Sequence, residues 1–455
     1  MDNILNYISN NKEKFLQELI DFLRIPSISS ISTYKDYMTQ AAEWLSENMK
    51  SSGLNNVRII PTAGHSIVYG EWLNAGDNAP TVLVYGHYDV QPVDPLNLWD
   101  SPPFDPVIKN GKIFARGSAD DKGQLFIHIK AVESYLKTIG KLPVNIKFLI
   151  EGEEEAGSNH LDEFIENNRD LLKCDTVLIS DTEWFADGMP SICYSLRGIA
   201  FVELTVIGPN RDLHSGSYGG GIDNPLNVLC WMISKLKDDY GRIAIPGFYD
   251  DVRPLSKEER DNFKKLPFDE EEYCKDLDVP MVNGEIGFTT LERVSARPTL
   301  DLNGIYGGYT GEGAKTIIPS KATAKISMRL VPDQKPDDII NKVERHLKNI
   351  APPTVKIEIQ RLHGGNPVLV PLDSKGIKSA VKAFENAFGK EVLFTREGGS
   401  IPIVSTFLEV LNAPSVLMGM GLPGDNIHSP NESFNLENFF GGIKVSAFFL
   451  DEFSK

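Results

Sequence analysis

The sequence predicts an α/β protein in which a discontinuous first domain, built on a mixed, mostly parallel sheet flanked by helices, carries an inserted α+β second domain. Three observations carry this. Short apolar runs such as TVLVYG (81–86), VNIKFLI (144–150) and TVLIS (176–180) read as strands buried on both faces, and helical patterns separate them. Past Ser191 the texture changes to strands that alternate apolar and polar residues, and after Pro371 the first texture returns. A chain of 455 residues is also too long for one core. The boundaries are read as 1–196 and 371–455 for the two parts of the first domain and 197–370 for the insert.

Residues 3–23 place Ile4, Ile8, Phe15, Leu19 and Leu23 at helical spacing until Pro26 stops the pattern. A second helix shows Met38, Ala41, Ala42, Leu45 and Met49 on one face, and strands near Val57–Ile60 and Ile67–Trp72 follow. In TVLVYGHYDVQP the apolar run halts at Gly86, read as a sharp turn at the strand's C-terminal edge. Open α/β sheets bind ligands at that edge. His87 and Asp89, two apart on extended chain, point the same way, so Asp89 can orient the imidazole toward a metal. Asn110–Gly111 marks a hairpin. SADDKGQL then opens a helix with Leu125, Ile129, Val132 and Leu136 on its apolar face and Asp120 and Asp121 at its mouth, where plain caps are also common.

The next strand empties into EGEEEAGS, so Glu151, Glu153, Glu154 and Glu155 repel one another at a sheet edge and call for a cation. A solvated acidic loop is the ordinary alternative, but such loops seldom open directly off a buried strand. A third strand delivers Asp181 at its end. In the insert, SICYSLRGIAFVELTVIG, KATAKISMRLVP and TVKIEIQRL suit a sheet with one open face, between helices at Pro225–Lys237 and Pro336–Ile350. The charged, proline-bearing stretch from Asp238 to Tyr306 reads as an insertion on that domain. Helix 374–388, strand 391–395, helix 401–411, strand 415–418 and a last helix from Leu436 complete the first domain.

Hydrophobic content of 41% and charged content of 24% are ordinary for a soluble protein, and a net charge of −17 disfavours nucleic acid and anionic membrane as partners. No apolar run approaches the roughly 20 residues that cross a bilayer. Cys174, Cys193, Cys230 and Cys274 form no CxxC pair, and the N-terminal residues do not read as a signal peptide; both suggest reduced core thiols in a cytosolic protein. Gly419, Gly421 and Gly424 spell GxGxxG, but Pro423 and DNIHSPNE do not open a helix there, and GEGAKT lacks the adjacent glycine and lysine of a phosphate loop. There is no GxSxG or HExxH, and His65, His128, His160 and His346 sit in ordinary contexts.

The first domain thus offers His87, Asp120, Glu154, Glu155, Asp181 and His428 at one sheet edge. Imidazoles with several carboxylates suit Zn²⁺ or Mn²⁺. The set is too large for one tetrahedral ion; two ions sharing a carboxylate would use it, with one glutamate left to deprotonate water for hydrolysis of a carbonyl compound.

In order and spacing, GHYDVQP, RGSADDKGQ, EGEEEAGS, ISD, DLHSG and GDNIHSPNE resemble the co-catalytic zinc peptidase and deacylase family, which includes aminoacylase, acetylornithine deacetylase, succinyl-diaminopimelate desuccinylase, carboxypeptidase G and carnosine-type cytosolic dipeptidases. The resemblance implies that His87, Asp120 and Asp181 hold one metal and Asp120, Glu155 and His428 the other. It further implies Glu154 as general base, Asp89 as orienter, a cis peptide after Asp120, and a lid and dimerisation role for the insert, whose His214 would reach the partner subunit's site to stabilise an oxyanion. Three consecutive glutamates leave the register open; aligning Glu151-Gly152 and Glu154-Glu155 with the family's EGxEE leaves Glu153 a bystander. Arg329 on a lid strand, and Gly398, Gly399 and Ser400 at a helix start, suit a substrate carboxylate. Thr316, Arg329, Ser400 and His428 fall at spacings like those of carnosine-type dipeptidases, and His363 in LHGGNP is expected as a further lid contact. The expected substrate is therefore a dipeptide or short peptide with a free C-terminal carboxylate, with an N-acyl amino acid as the alternative. A phosphoesterase lacks its cationic cluster here, and a non-catalytic relative would not keep the full ligand set.

Overall fold

The computed structural model describes residues 1–399 and 401–455, and of His363 and Pro402 the backbone alone. The chain divides into two compact units, the first comprising Met1–Tyr194, Val370–Thr395 and Thr406–Lys455, the second Ser195–Leu369 and Arg396–Ser405.

In the first unit the strands run across the sheet in the order Asn55–Ile60, Ile67–Trp72, Asn145–Glu151, Thr81–His87, Thr176–Ile179, Ser415–Leu417, Ser191–Leu196. Thr81–His87 is parallel to both its neighbours, and Ser415–Leu417 is parallel to Thr176–Ile179. The outer pairings are antiparallel. The parallel centre is buried on both faces, every residue of Asn145–Glu151 and Thr176–Ile179 being covered, which is why these strands read as unbroken apolar runs. The helix Lys122–Thr138 is buried from Lys122 to Tyr135, packed on Thr81–His87 and enclosed by the helices Asp2–Asn10, Lys12–Leu23 and Leu436–Ser454. Burial all round explains a helix that admits Lys130 only because Glu18 and Glu133 each lie 2.7 Å from its ammonium.

In the second unit four antiparallel strands lie in the order Thr299–Gly307, Lys321–Leu330, Gly198–Ile207, Lys356–Gly365. Gly198–Ile207 alternates strictly between buried and half-buried residues, and Ala200, Val202, Leu204 and Val206 pack with Leu229 and Met232 of the helix Pro225–Ser234 and with Ile340, Val343 and Leu347 of Pro336–Ile350. Asn224 caps the first of these helices through Leu226 N, and Pro225 fills its first turn.

Four expectations are corrected. The N-terminal helical pattern is two helices, Asp2–Asn10 and Lys12–Leu23, broken at Asn11. Gly86 makes no turn: it lies within the strand Thr81–His87, and a Cβ there would come 2.6 Å from Asp121 Oδ2, so close approach is what it serves. The segment Thr299–Gly307, read as part of an insertion, is an edge strand of the second sheet; its largely exposed residues hid the alternation. Of the four cysteines only Cys193 is buried, and Cys230 is exposed on its helix. Among the described residues no helix is long and apolar enough to cross a membrane.

Candidate metal centre

Parallel pairing sets the site. Tyr85 is in register with both Leu149 and Ile179, so two residues further on His87, Glu151 and Asp181 leave the sheet at the same level. The strand Ser415–Leu417, whose Leu417 pairs with Ile179, sends its following loop from that edge, and His428 lies in it at φ 62°. Asp120 arrives from the loop before Lys122–Thr138, across a cis bond to Asp121.

His87 Nε2 lies 3.1 Å from Asp120 Oδ1 and 3.9 Å from Asp181 Oδ2. His428 Nε2 lies 2.8 Å from Asp120 Oδ2 and 3.2 Å from Glu155 Oε2. Asp120 therefore turns one oxygen to each imidazole, and two groups of potential ligands, His87, Asp120, Asp181 and Asp120, Glu155, His428, share it. The fit to cations shows at His87: its Nε2 is buried and, among the described residues, makes no hydrogen bond, although carboxylate oxygens face it. On the other side of the ring, Nδ1 lies 3.1 Å from the Asp89 carbonyl and 3.4 Å from Asp89 Oδ1, an arrangement that places the ring proton there and leaves the Nε2 lone pair for a metal.

Glu154 belongs to neither group. Burial, and then the carboxylates of Asp181, Asp120 and Glu155 acting against nearby His87, push it up to about 8, and among the described residues its carboxylate has no hydrogen-bond partner. Glu153 turns away, accepting from His160 Nδ1 at 2.8 Å. Glu155 accepts from Gln91 Nε2 at 2.6 Å. His428 is raised to about 10 by its hydrogen bonds to Asp120 and Glu155, as expected of a pocket whose carboxylates favour positive charge.

Sequence reasoning missed the support beneath Asp120. Glu432, fully buried, accepts from Ala119 N at 2.9 Å and Asp120 N at 3.1 Å through Oε1, and from Gly117 N and Arg116 Nη1, both at 2.9 Å, through Oε2. An acid in HSPNES carries no periodicity to set it apart from a solvated one; only its position four residues past His428 could have flagged it.

The remaining candidates lie in the second unit. His214 pairs with Ile317 in a short two-stranded ladder, and Ser215 N donates to the Thr316 carbonyl at 3.0 Å, so His214 and Thr316 are brought together. Arg329 is half-buried on Lys321–Leu330, opposite Ile199 and Thr299. Gly399 accepts from Arg197 N at 3.1 Å, and Gly398 from Arg197 Nε at 3.0 Å. Ser400 lies outside the described residues, as does the side chain of His363.

Two imidazoles and a shared carboxylate at the C-terminal edge of a parallel sheet define a hydrolase centre of the two-cation kind. The comparisons agree. The model of peptidase family M20/M25/M40 matches residues 83–452, and the chain belongs to that metallopeptidase family. It is 32% identical to the Cys-Gly metallodipeptidase DUG1 of Saccharomyces cerevisiae, over 100% of this chain and 98% of that protein. It is also 32% identical to the Beta-Ala-His dipeptidase of Homo sapiens, over 99% and 92%. Its fold superposes on an M20 family metallo-carboxypeptidase from Sulfolobus solfataricus with a TM-score of 0.84 at 35% identity, over 97% of this chain and 99% of that one.

Proposed function

We propose that this chain hydrolyses the peptide bond of dipeptides, or of short peptides with a free C-terminal carboxylate. His87, Asp120 and Asp181 would hold one divalent ion and Asp120, Glu155 and His428 the second, Zn²⁺ being the first choice and Mn²⁺ the second for this donor set. The observation that carries the reading is Asp120, whose two oxygens face two different imidazoles while a carboxylate outside both ligand groups, Glu154, stands by in a protonatable state. Such a pair of cations supplies Lewis acidity, acidifying water and polarising the scissile carbonyl.

Glu154 takes the proton from the attacking water and delivers it to the departing amine nitrogen, a role that needs a carboxylate free of other partners and with a pKa near neutrality. Asp89 keeps the His87 tautomer fixed. Arg329, with Gly399, Ser400, Thr316 and His363, would receive the substrate's terminal carboxylate. His214 would donate to the developing oxyanion of a partner subunit's site, which makes the functional form a homodimer through the second unit, with that unit as lid. A cytoplasmic location suits the composition. The peptidase relatives favour a peptide over an N-acyl amino acid. A panel of Cys-Gly, β-Ala-His and other dipeptides against N-acetyl amino acids tests the reading: dipeptides should turn over faster by at least about 100-fold, and faster turnover of the acetyl compounds would replace it with a deacylase.

A further inference from the structure

Beyond Asp181 the chain stays extended. Glu183 bridges to Gly421, Trp184 N donates to the Gly421 carbonyl at 2.8 Å, and burial alternates, with Asp181 and Glu183 half-buried and Thr182 and Trp184 buried. The buried pair point into the body of the unit: Thr182 Oγ1 accepts from Gly419 N at 3.1 Å, and the Trp184 indole donates to the Gly419 carbonyl at 2.9 Å. Side chains at i and i+2 on extended chain share a side, so Glu183 faces the way Asp181 faces, toward the metal centre.

Glu183 is not among the ligand atoms gathered there. Among the described residues its carboxylate makes no hydrogen bond and no ion pair, and the charged groups bearing most on it, Asp425 and Asp120, are anionic. Asp425 is already satisfied, by Lys112 Nζ at 2.9 Å and Leu422 N at 2.8 Å. Among the described residues nothing compensates Glu183. Ionising a half-buried carboxylate that has no partner is costly, and a cation arriving from outside would offset that cost.

We propose that Glu183 receives the free α-ammonium of the substrate and so selects unblocked dipeptides. This rests on the peptide-hydrolase reading above and names the feature of the substrate that the amino-terminal side recognises. In a dipeptide the amine nitrogen is two bonds from the scissile carbonyl carbon, so its acceptor must stand beside the groups that hold the reacting carbonyl. Glu183, two residues past Asp181, stands there. An N-acylated substrate has no charge to offer and would bury Glu183 unpaired.

The experiment uses the metal-loaded enzyme and compares Ala-Ala with N-acetyl-Ala-Ala for the wild type, Glu183→Gln and Glu183→Ala. The wild type should favour Ala-Ala by at least about 100-fold in kcat/KM. Both variants should lose about 30-fold or more on Ala-Ala, chiefly through KM, with N-acetyl-Ala-Ala unchanged or improved and the metal content per chain equal to wild type. Equal losses on both substrates, or loss of metal, would overturn the assignment. Should the variants fail to fold, inhibition of the wild type decides: Ala-Ala analogues with a non-cleavable bond should bind far better than their des-amino counterparts, and equal binding would refute the proposal. A wild type that cleaves dipeptides without discrimination sinks this inference alone, whereas one that cleaves none sinks the functional reading.

Discussion

The carboxylate of Asp89 accepts a hydrogen bond from the backbone N–H of Glu155 at 3.1 Å, and its other oxygen accepts from Glu154 N at 3.3 Å while lying 3.4 Å from His87 Nδ1. One buried side chain therefore fixes both the first imidazole and the loop that carries the glutamates. Asp89→Ala should free the ring and the loop together, weakening metal retention about 10- to 100-fold. Titration of metal against a competing chelator measures this; unchanged affinity would show that the imidazole needs no orienter.

Glu154→Gln keeps the shape and removes the base. Bound metal should stay at the wild-type level while kcat falls at least about 1,000-fold, equivalent to about 4 kcal/mol of barrier. Glu153→Gln should remain within a few-fold of wild type, because Glu153 spends its carboxylate on His160. The reverse pattern would move the base by one residue.

Glu432→Ala removes four acceptor contacts from beneath Asp120 and strands the Arg116 guanidinium in the interior. Breaking a buried pair by deleting one partner costs about 3–5 kcal/mol, so the denaturant midpoint should drop markedly and metal affinity with it. A midpoint equal to wild type would mean that the loop is held elsewhere.

Glu133 is almost fully buried; burial works against its ionisation, but Lys130 and Lys14 outweigh it and hold the carboxyl below its ordinary value of 4.5. A depressed folded-state pKa contributes stability that is complete above the unfolded value and is lost as pH falls through the folded one. Between pH 7 and pH 3 the wild type should therefore lose more stability than Glu133→Gln, as followed by urea midpoints; parallel slopes would deny the linkage.

Mixing His214→Ala subunits with Glu154→Gln subunits tests sharing of the site across a dimer. Each is expected to be inactive alone, and a mixed dimer retains one intact combination, so partial activity should return; none would count against the shared arrangement.

What the sequence made legible is what periodicity and strand ends encode. TVLVYGH and TVLIS are unbroken because their sheet is covered on both faces, and a ligand-type residue closing each run marks the edge where His87 and Asp181 emerge. The edge strand Thr299–Gly307 escaped because Asp301, Leu302 and Asn303 are all exposed, so no face pattern survives. Which of three successive glutamates does what is a matter of where a short 3-10 turn, Glu154–Ala156, points each carboxylate, and spacing alone does not carry that. Glu432 and Glu183 were invisible for another reason: what sets them apart is what surrounds them after folding, four backbone and guanidinium donors in one case and, among the described residues, none in the other.

Metal removal and stoichiometric return put the central claim to its most direct test. Enzyme stripped by exhaustive chelation should cleave no dipeptide, and activity should climb with added Zn²⁺ or Mn²⁺ to a plateau at about two ions per chain. Full-rate cleavage by the stripped protein, or a plateau at a single ion, would contradict a centre in which Asp120 is shared between two cations.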